Sequence, residues 1–195
     1  VVQYMIDEHG LRVNRGTIVD ATIVEAPRGR KREDATNTRD KDAGFTKKNG
    51  QTFHGYKAHV GSDTKGHFIK EVIVTCATTP DNEAFDDLTK HETRSVFADK
   101  AYIDKEKKRT FRARGVFWGV LDRASSGHAL STKQWKDNNQ KSSVRSRGEH
   151  PFAWMKRTMH FQGTRLRGLR KNTFHITLVC TAYNLKRLVS VLALA

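Results

Sequence analysis

Residues 17–24 read Thr-Ile-Val-Asp-Ala-Thr-Ile-Val, a β-branched run interrupted at its middle by one carboxylate, Asp20. Such a run forms a strand. Its apolar side chains demand cover, and a buried carboxylate is costly unless positive charge comes to it. A second acid, Asp99, follows the apolar run 95–98, and a third, Glu149, lies just upstream of Pro151-Phe152-Ala153-Trp154-Met155-Lys156. Two strand acids and one helix acid, in a chain of formal net charge +15, point to a divalent-metal site facing a polyanion. Phosphoryl-transfer chemistry on nucleic acid is the expected outcome.

The charge is the second constraint. Lys and Arg number 36 against 21 Asp and Glu, an excess that favours a phosphate-rich partner, because each neutralised phosphate releases counterions. Cys76 and Cys180 sit in apolar stretches with no Cys-x-x-Cys pair. They read as small buried hydrophobes in a reducing compartment, not as zinc ligands or a disulfide. The apolar stretch 174–195 is interrupted by His175, Asn184, Lys186 and Arg187, which predicts a buried or amphipathic helix and no membrane span. No signal peptide is expected, and a cytoplasmic, nucleoid-associated protein is.

Along the chain, residues 28–50 carry Arg28-Gly29-Arg30-Lys31-Arg32 and Lys47-Lys48-Asn49-Gly50 and read as a flexible basic insert, with Asn49-Gly50 a turn signal. Strands are expected at 52–61 and 68–75, joined by a hairpin turn at 63–66. Pro80-Asp81-Asn82-Glu83 opens a helix with Phe85 and Leu88 on one face. A short strand at 95–98, a basic helix at 104–114 and a strand at 116–121 follow. From Ser131 onward the pattern is helical, ending in a long helix from about Thr173. Hairpin-linked strands run antiparallel and helix-linked strands parallel. The fold class is therefore α/β: one domain over 1–195 with a mixed five-stranded sheet flanked by helices.

Arg145, Glu149, Phe152, Ala153 and Lys156 fall at spacings that share one helical face. Pro151 is comfortable only in a first helical turn, so the helix should begin near 146–148 with Arg145 just outside it. An acid between two cations can hold a metal while the cations hold phosphates, Arg with a planar fork and Lys as a point charge.

At these residues the chain resembles the DDE transposases of bacterial insertion sequences, in the group whose last acid lies in a Tyr-x2-Arg-x3-Glu-x6-Lys signature. Val19-Asp20-Ala21-Thr22 matches the first acid and Ala98-Asp99-Lys100-Ala101-Tyr102 the second. Arg145, Glu149 and Lys156 fit the third signature in register. Gly55-Tyr56-Lys57-Ala58-His59, Val74-Thr75 with the later Asp81, and Arg165-Leu166-Arg167-Gly168-Leu169-Arg170-Lys171-Asn172 are further likenesses. The resemblance implies a ribonuclease H-like fold, two Mg²⁺ or Mn²⁺ ions at the catalytic acids Asp20, Asp99 and Glu149, and double-stranded DNA as partner. It also implies nicking at an element's ends followed by strand transfer by the freed 3′-hydroxyl, and a homodimer that brings two ends together. Arg145 and Lys156 would grip DNA phosphates. Ser142 stands at the signature's tyrosine position and can hydrogen-bond a phosphate but cannot stack. Only nineteen residues precede Asp20. The amino-terminal DNA-binding region usual in such transposases is therefore expected to be missing, leaving either a working catalytic core or a catalytically inactive DNA-binding remnant.

Arg165, Arg167, Arg170 and Lys171 cluster around glycines and read as a loop on the DNA backbone. His54, His59 and His67 flank the hairpin in structural or DNA-contact roles, and His150 beside Glu149 is the histidine best placed to support the acids. Asp81 and the pair Asp86-Asp87 read as helix caps or surface charges. Trp118 and Trp154 read as core, and Trp135, in a polar run, is free to stack on a base.

Overall fold

The computed structural model describes residues 2–11, 15–30, 38–125 and 127–193. In chain order the elements are α1 (Val2–Glu8), β1 (Thr17–Glu25), β2 (Gly44–Lys48), β3 (Gln51–Asp63), β4 (Ile69–Cys76), α2 (Phe85–Thr89), β5 (Ser95–Ala98), α3 (Lys105–Ala113), β6 (Phe117–Val120), α4 (Thr132–Arg145), α5 (Glu149–Thr158) and α6 (Leu169–Leu192). Short 3₁₀ turns lead into α2 (Asp81–Ala84), follow β5 (Lys100–Tyr102) and join α4 to α5 (Ser146–Gly148).

The strands form one mixed sheet. β1 lies antiparallel to β3 and parallel to β5, which lies parallel to the edge strand β6. On its other edge the long β3 pairs with β2 through its first residues and with β4 through the rest, both antiparallel. The order β4–β3–β1–β5–β6, antiparallel then parallel, with helices on both faces, is the mixed α/β arrangement expected from the sequence.

The strand count is six, not five. The additional strand, β2, lies inside the segment 28–50 that reads as a flexible insert; residues 31–37 of that segment lie outside the described residues. Asn49 and Gly50 both take positive φ, 51° and 80°, the backbone of a two-residue hairpin turn, and they close Lys48 onto Gln51. The turn residues stand out in the sequence, but Gly-Phe-Thr-Lys-Lys lacks the apolar alternation that marks a strand, so only the pairing reveals it. Two helical boundaries also differ. Arg145 ends α4 and does not stand outside a helix, and α6 starts at Leu169, inside the basic cluster, so Arg170 and Lys171 lie in its first turn and not in a loop.

Apolar side chains fill both faces of the sheet. On one, Val24, Tyr56, Ala58, Val60 and Val74 meet Phe152 and Met155 of α5 and Ile176, Cys180 and Tyr183 of α6. On the other, Val19, Val96, Ala98, Trp118 and Val120 meet Phe85 and Leu88 of α2 and Phe111 of α3. Alternation along β1 therefore puts Val19 under α2 and α3, and Ile18, Asp20, Thr22 and Val24 on the face towards α5.

Glu92 secures this frame. It is 2% exposed and accepts from Thr17 Oγ1 at 2.6 Å, from Lys70 Nζ at 3.0 Å and from the Thr93 and Arg94 amides at 3.0 and 2.9 Å. It thereby ties the first residue of β1 to β4 and to the entry of β5. Burial pushes its carboxyl up, but the Thr17, Arg94 and Lys70 hydrogen bonds outweigh that and hold it below the ordinary glutamate range.

Glu92→Ala leaves the Lys70 ammonium with its carboxylate partner removed and is expected to destabilise the protein by about 3–5 kcal/mol in urea unfolding at pH 7. A depressed carboxyl contributes stability above its unfolded value and loses it as pH falls through the folded one. The wild type should therefore lose its advantage over Glu92→Gln below about pH 4.3, the ordinary glutamate value. An advantage that does not shrink at all as the pH falls from about 5 to about 3 would show that the charge on Glu92 is immaterial.

Candidate active site

Parallel pairing of β1 with β5 sets Ile18 against Phe97. Two residues further along each strand stand Asp20 and Asp99, so the register brings both acids to the same level on neighbouring strands. Both line a cavity of about 260 Å³, together with Thr46, Lys47, Lys48, Lys57, Asp81, Tyr102 and Arg145. Asp99 also accepts from the Lys100 amide at 2.6 Å, which turns the chain away from the sheet at that level.

The third acid arrives on the α4–α5 path. The chain stays helical from Thr132 through the 3₁₀ turn to Thr158, and Pro151 sits as the third residue of α5, where a missing N–H is harmless. Arg145, one turn before Glu149, bridges the two acids. Its Nη1 donates to Glu149 Oε1 at 3.0 Å, and its Nη2 stands 3.7 Å from Asp20 Oδ2. Gly148 permits this approach: a Cβ there would lie 2.5 Å from Cγ2 of Ile18, two residues before Asp20.

Asp20 is under-compensated. Burial pushes its carboxyl up, and Glu149 adds to that, while Arg145, the Ala21 amide and Lys48 pull it down without restoring the ordinary value. Lys156 is the mirror case. Burial lowers its ammonium, the nearby Lys48 lowers it further, and Asp20 only partly offsets both. The site thus sets a carboxylate short of positive charge near an ammonium group, Lys156, short of negative charge.

The remaining expected contacts lie further out. Ser142 is exposed on α4 and does not line the cavity. Arg165, Arg167, Arg170 and Lys171 are all exposed. The loop that carries Arg165 and Arg167 and leads into α6 is tied to the end of β1, where the Glu25 amide donates to Gln162 O and the Thr164 amide to Glu25 O, and to Asp40 and Asp42, which accept from the Gly168 and Leu169 amides. At about 3.3 Å per strand residue, Glu25 lies about 17 Å from Asp20 along β1. His54 and His59 are buried, and His59 shares a hydrogen bond with Thr75 at 2.9 Å. His150 stacks loosely on His67, 5.2 Å between ring centroids. Trp118 is in the core, Trp154 packs on Tyr183, and Trp135 is 58% exposed.

Three lining residues, Asp81, Lys48 and Tyr102, escape a reading of the sequence for site residues. Asp81 reads as a cap but forms an ion pair with Lys57 at 2.9 Å inside the cavity. Lys48 belongs to the strand hidden in the basic insert. Tyr102 is visible in the sequence only as part of the segment around Asp99.

By donor type the residues suit a hard divalent cation: three carboxylates, one of them half-buried and under-neutralised. Among the described residues, however, no three His, Cys, Asp or Glu side chains converge closely enough to hold one ion. Asp20 and Asp99 share the cavity, whereas Glu149 is linked to it through the Arg145 guanidinium. No helix among the described residues is long and apolar enough to cross a membrane.

A family model described as transposase DDE domain matches residues 12–185. Two solved structures are similar in outline. The Mos1 transposase paired-end complex with left transposon end is 11% identical with a TM-score of 0.29, covering 83% of this chain and 60% of that one. The Mos1 strand transfer complex is 9% identical with a TM-score of 0.30, covering 83% and 59%. The chain thus spans about 60% of the length of those solved chains.

A carboxyl raised by burial opposes folding once ionised, so acidification through its raised value stabilises the protein. Asp20→Asn is accordingly expected to melt higher than the wild type at pH 7 without metal, by about 2–4 °C for each kcal/mol relieved. Added Mn²⁺ should raise the melting temperature of the wild type but not of the variant. A variant that melts lower in metal-free buffer contradicts the under-compensation of Asp20.

Proposed function

The chain belongs to the transposase DDE domain family, and from that premise we propose that it is a DNA transposase domain that cuts the ends of an insertion sequence and joins them to target DNA. One observation carries the reading: the parallel register that puts Asp20 and Asp99 side by side in a cavity whose rim, through Arg145, reaches Glu149. In this reading Asp20, Asp99 and Glu149 hold Mg²⁺ or Mn²⁺, two ions in the working complex. When bound, such ions polarise the scissile phosphate and make an attacking water or 3′-hydroxyl nucleophilic at neutral pH.

The protein's own groups supply the rest. Arg145 has a planar fork suited to two phosphate oxygens. Lys48 and Lys156 crowd one another, and a phosphate between them relieves that repulsion and favours the strand's entry beside Asp20. Partial burial of Asp20 and Arg145 strengthens their electrostatic interactions relative to those of the more exposed Glu149. The exposed cations Arg165, Arg167, Arg170 and Lys171 hold the duplex backbone farther from the cut, with Ser142 a lesser phosphate contact on α4. Joining two ends requires two active centres, so the working form is a homodimer on double-stranded DNA, in the cytoplasm at the nucleoid.

Asp99→Ala is expected to abolish Mg²⁺-dependent cutting of element-end DNA while the melting curve stays cooperative, because Asp99 lies just past the end of β5 and outside the apolar core. Cutting that survives this substitution removes the proposed catalytic role of Asp99. A catalytically inactive DNA-binding remnant predicts salt-sensitive binding with no metal-dependent nicking by the wild type either. Replacing Arg165, Arg167 and Arg170 together by Ala should reduce the steepness of log affinity against log salt by about 0.9 per lost phosphate contact, while the chemical step at saturating DNA is preserved. An unchanged slope would place the duplex elsewhere.

A further inference from the structure

Tyr102 carries a buried hydroxyl that nothing in the fold uses. The residue is 2% exposed, and its ring sits in the core beneath α2, 5.7 Å between centroids from Phe85. Its hydroxyl has no hydrogen-bond partner among the described residues, although the side chain lines the cavity shared by Asp20, Asp81 and Asp99. The other buried tyrosines differ. Tyr56 donates to Asp40 Oδ2 at 2.6 Å and Tyr183 to His67 O at 2.9 Å. An unpaired buried hydroxyl costs about 1–3 kcal/mol, so its retention calls for a partner that arrives from outside.

That partner must be an acceptor. Burial first, then Asp81, Asp20 and Asp99, push the Tyr102 phenol far above its ordinary range, so it stays protonated and offers one donor. The ring is held by the core and cannot swing to seek a partner, so the acceptor has to enter the cavity. The cations lining that cavity, Lys47, Lys48, Lys57 and Arg145, select an anion. At about 260 Å³ the cavity has room for several groups of water size, each about 30 Å³ in the liquid. We propose that the Tyr102 hydroxyl donates a hydrogen bond to a phosphate oxygen of the DNA strand bound between Asp20 and Asp99, making it a substrate contact. This rests on the transposase reading and adds a neutral donor to a centre otherwise built of full charges.

Tyr102→Phe keeps the ring and removes only the donor. Without DNA or metal the variant should melt about 2–4 °C above the wild type, the shift expected when an unsatisfied buried group is deleted from a chain of this size. Tyr56→Phe, which breaks a bond already made, should melt below it. With element-end DNA in Ca²⁺, the rise in melting temperature on binding should be smaller for Tyr102→Phe than for the wild type. Single-turnover cutting in Mn²⁺ should fall by up to about a hundredfold to a thousandfold, the scale for losing one donor to a reacting centre. A variant that melts at or below the wild type overturns the inference, as does one that matches it both in DNA-linked stabilisation and in cutting. If wild type itself gains no stability from DNA and does not cut, the transposase reading falls and this contact falls with it.

Discussion

One guanidinium holds together what the chain keeps far apart in sequence. Asp20 sits in the middle of the central strand, Glu149 opens α5, and Arg145 touches both. For that contact to exist, β1 must present Asp20 on the face that α5 covers, and the α4–α5 junction must come down onto Ile18. The first condition is met by alternation along a strand whose other face feeds the core under α2 and α3. The second is met by Gly148, where any side chain would strike Ile18. The parallel register with β5 then delivers Asp99 beside Asp20.

Several buried polar groups of the frame are paired closely: Glu92 with four donors, Asn184 exchanging hydrogen bonds with the Ile69 backbone at 2.9 and 2.8 Å, Tyr56 with Asp40. At the cavity, three groups of different charge are left incomplete together. Asp20 is short of positive charge, Lys156 of negative charge, and Tyr102 of an acceptor. Strain of this kind persists where a ligand completes the set, and a phosphodiester with its cations carries all three missing features. The well-bonded frame is what allows the site to stay incomplete.

Much of this was legible in the sequence, for reasons particular to each element. Asp20 and Asp99 stand out because a carboxylate at an apolar strand is anomalous wherever it occurs. The spacing of Arg145, Glu149 and Lys156 is a helical period, and the structure keeps it across a 3₁₀ turn. What stayed hidden depends on pairing and close approach. β2 is polar and declares itself only through its hydrogen bonds to β3, so Lys48 looked like part of a loop. Asp81 has the sequence position of a helix cap, and only the fold brings Lys57 against it. The absent partner of Tyr102 is a property of its surroundings and has no sequence signature. The guanidinium standing between Asp20 and Glu149 belongs to the same class, since spacing put it near the acids without saying which charge it would neutralise.

The central claim is that Asp20 and Asp99 form one cation seat. Anomalous diffraction from a crystal soaked in Mn²⁺ tests it most directly. The account predicts a manganese peak in contact with the carboxylate oxygens of both residues, within the 2.0–2.6 Å range of hard-cation coordination. Manganese bound only at other carboxylates, with none between these two at saturating concentration, would contradict it.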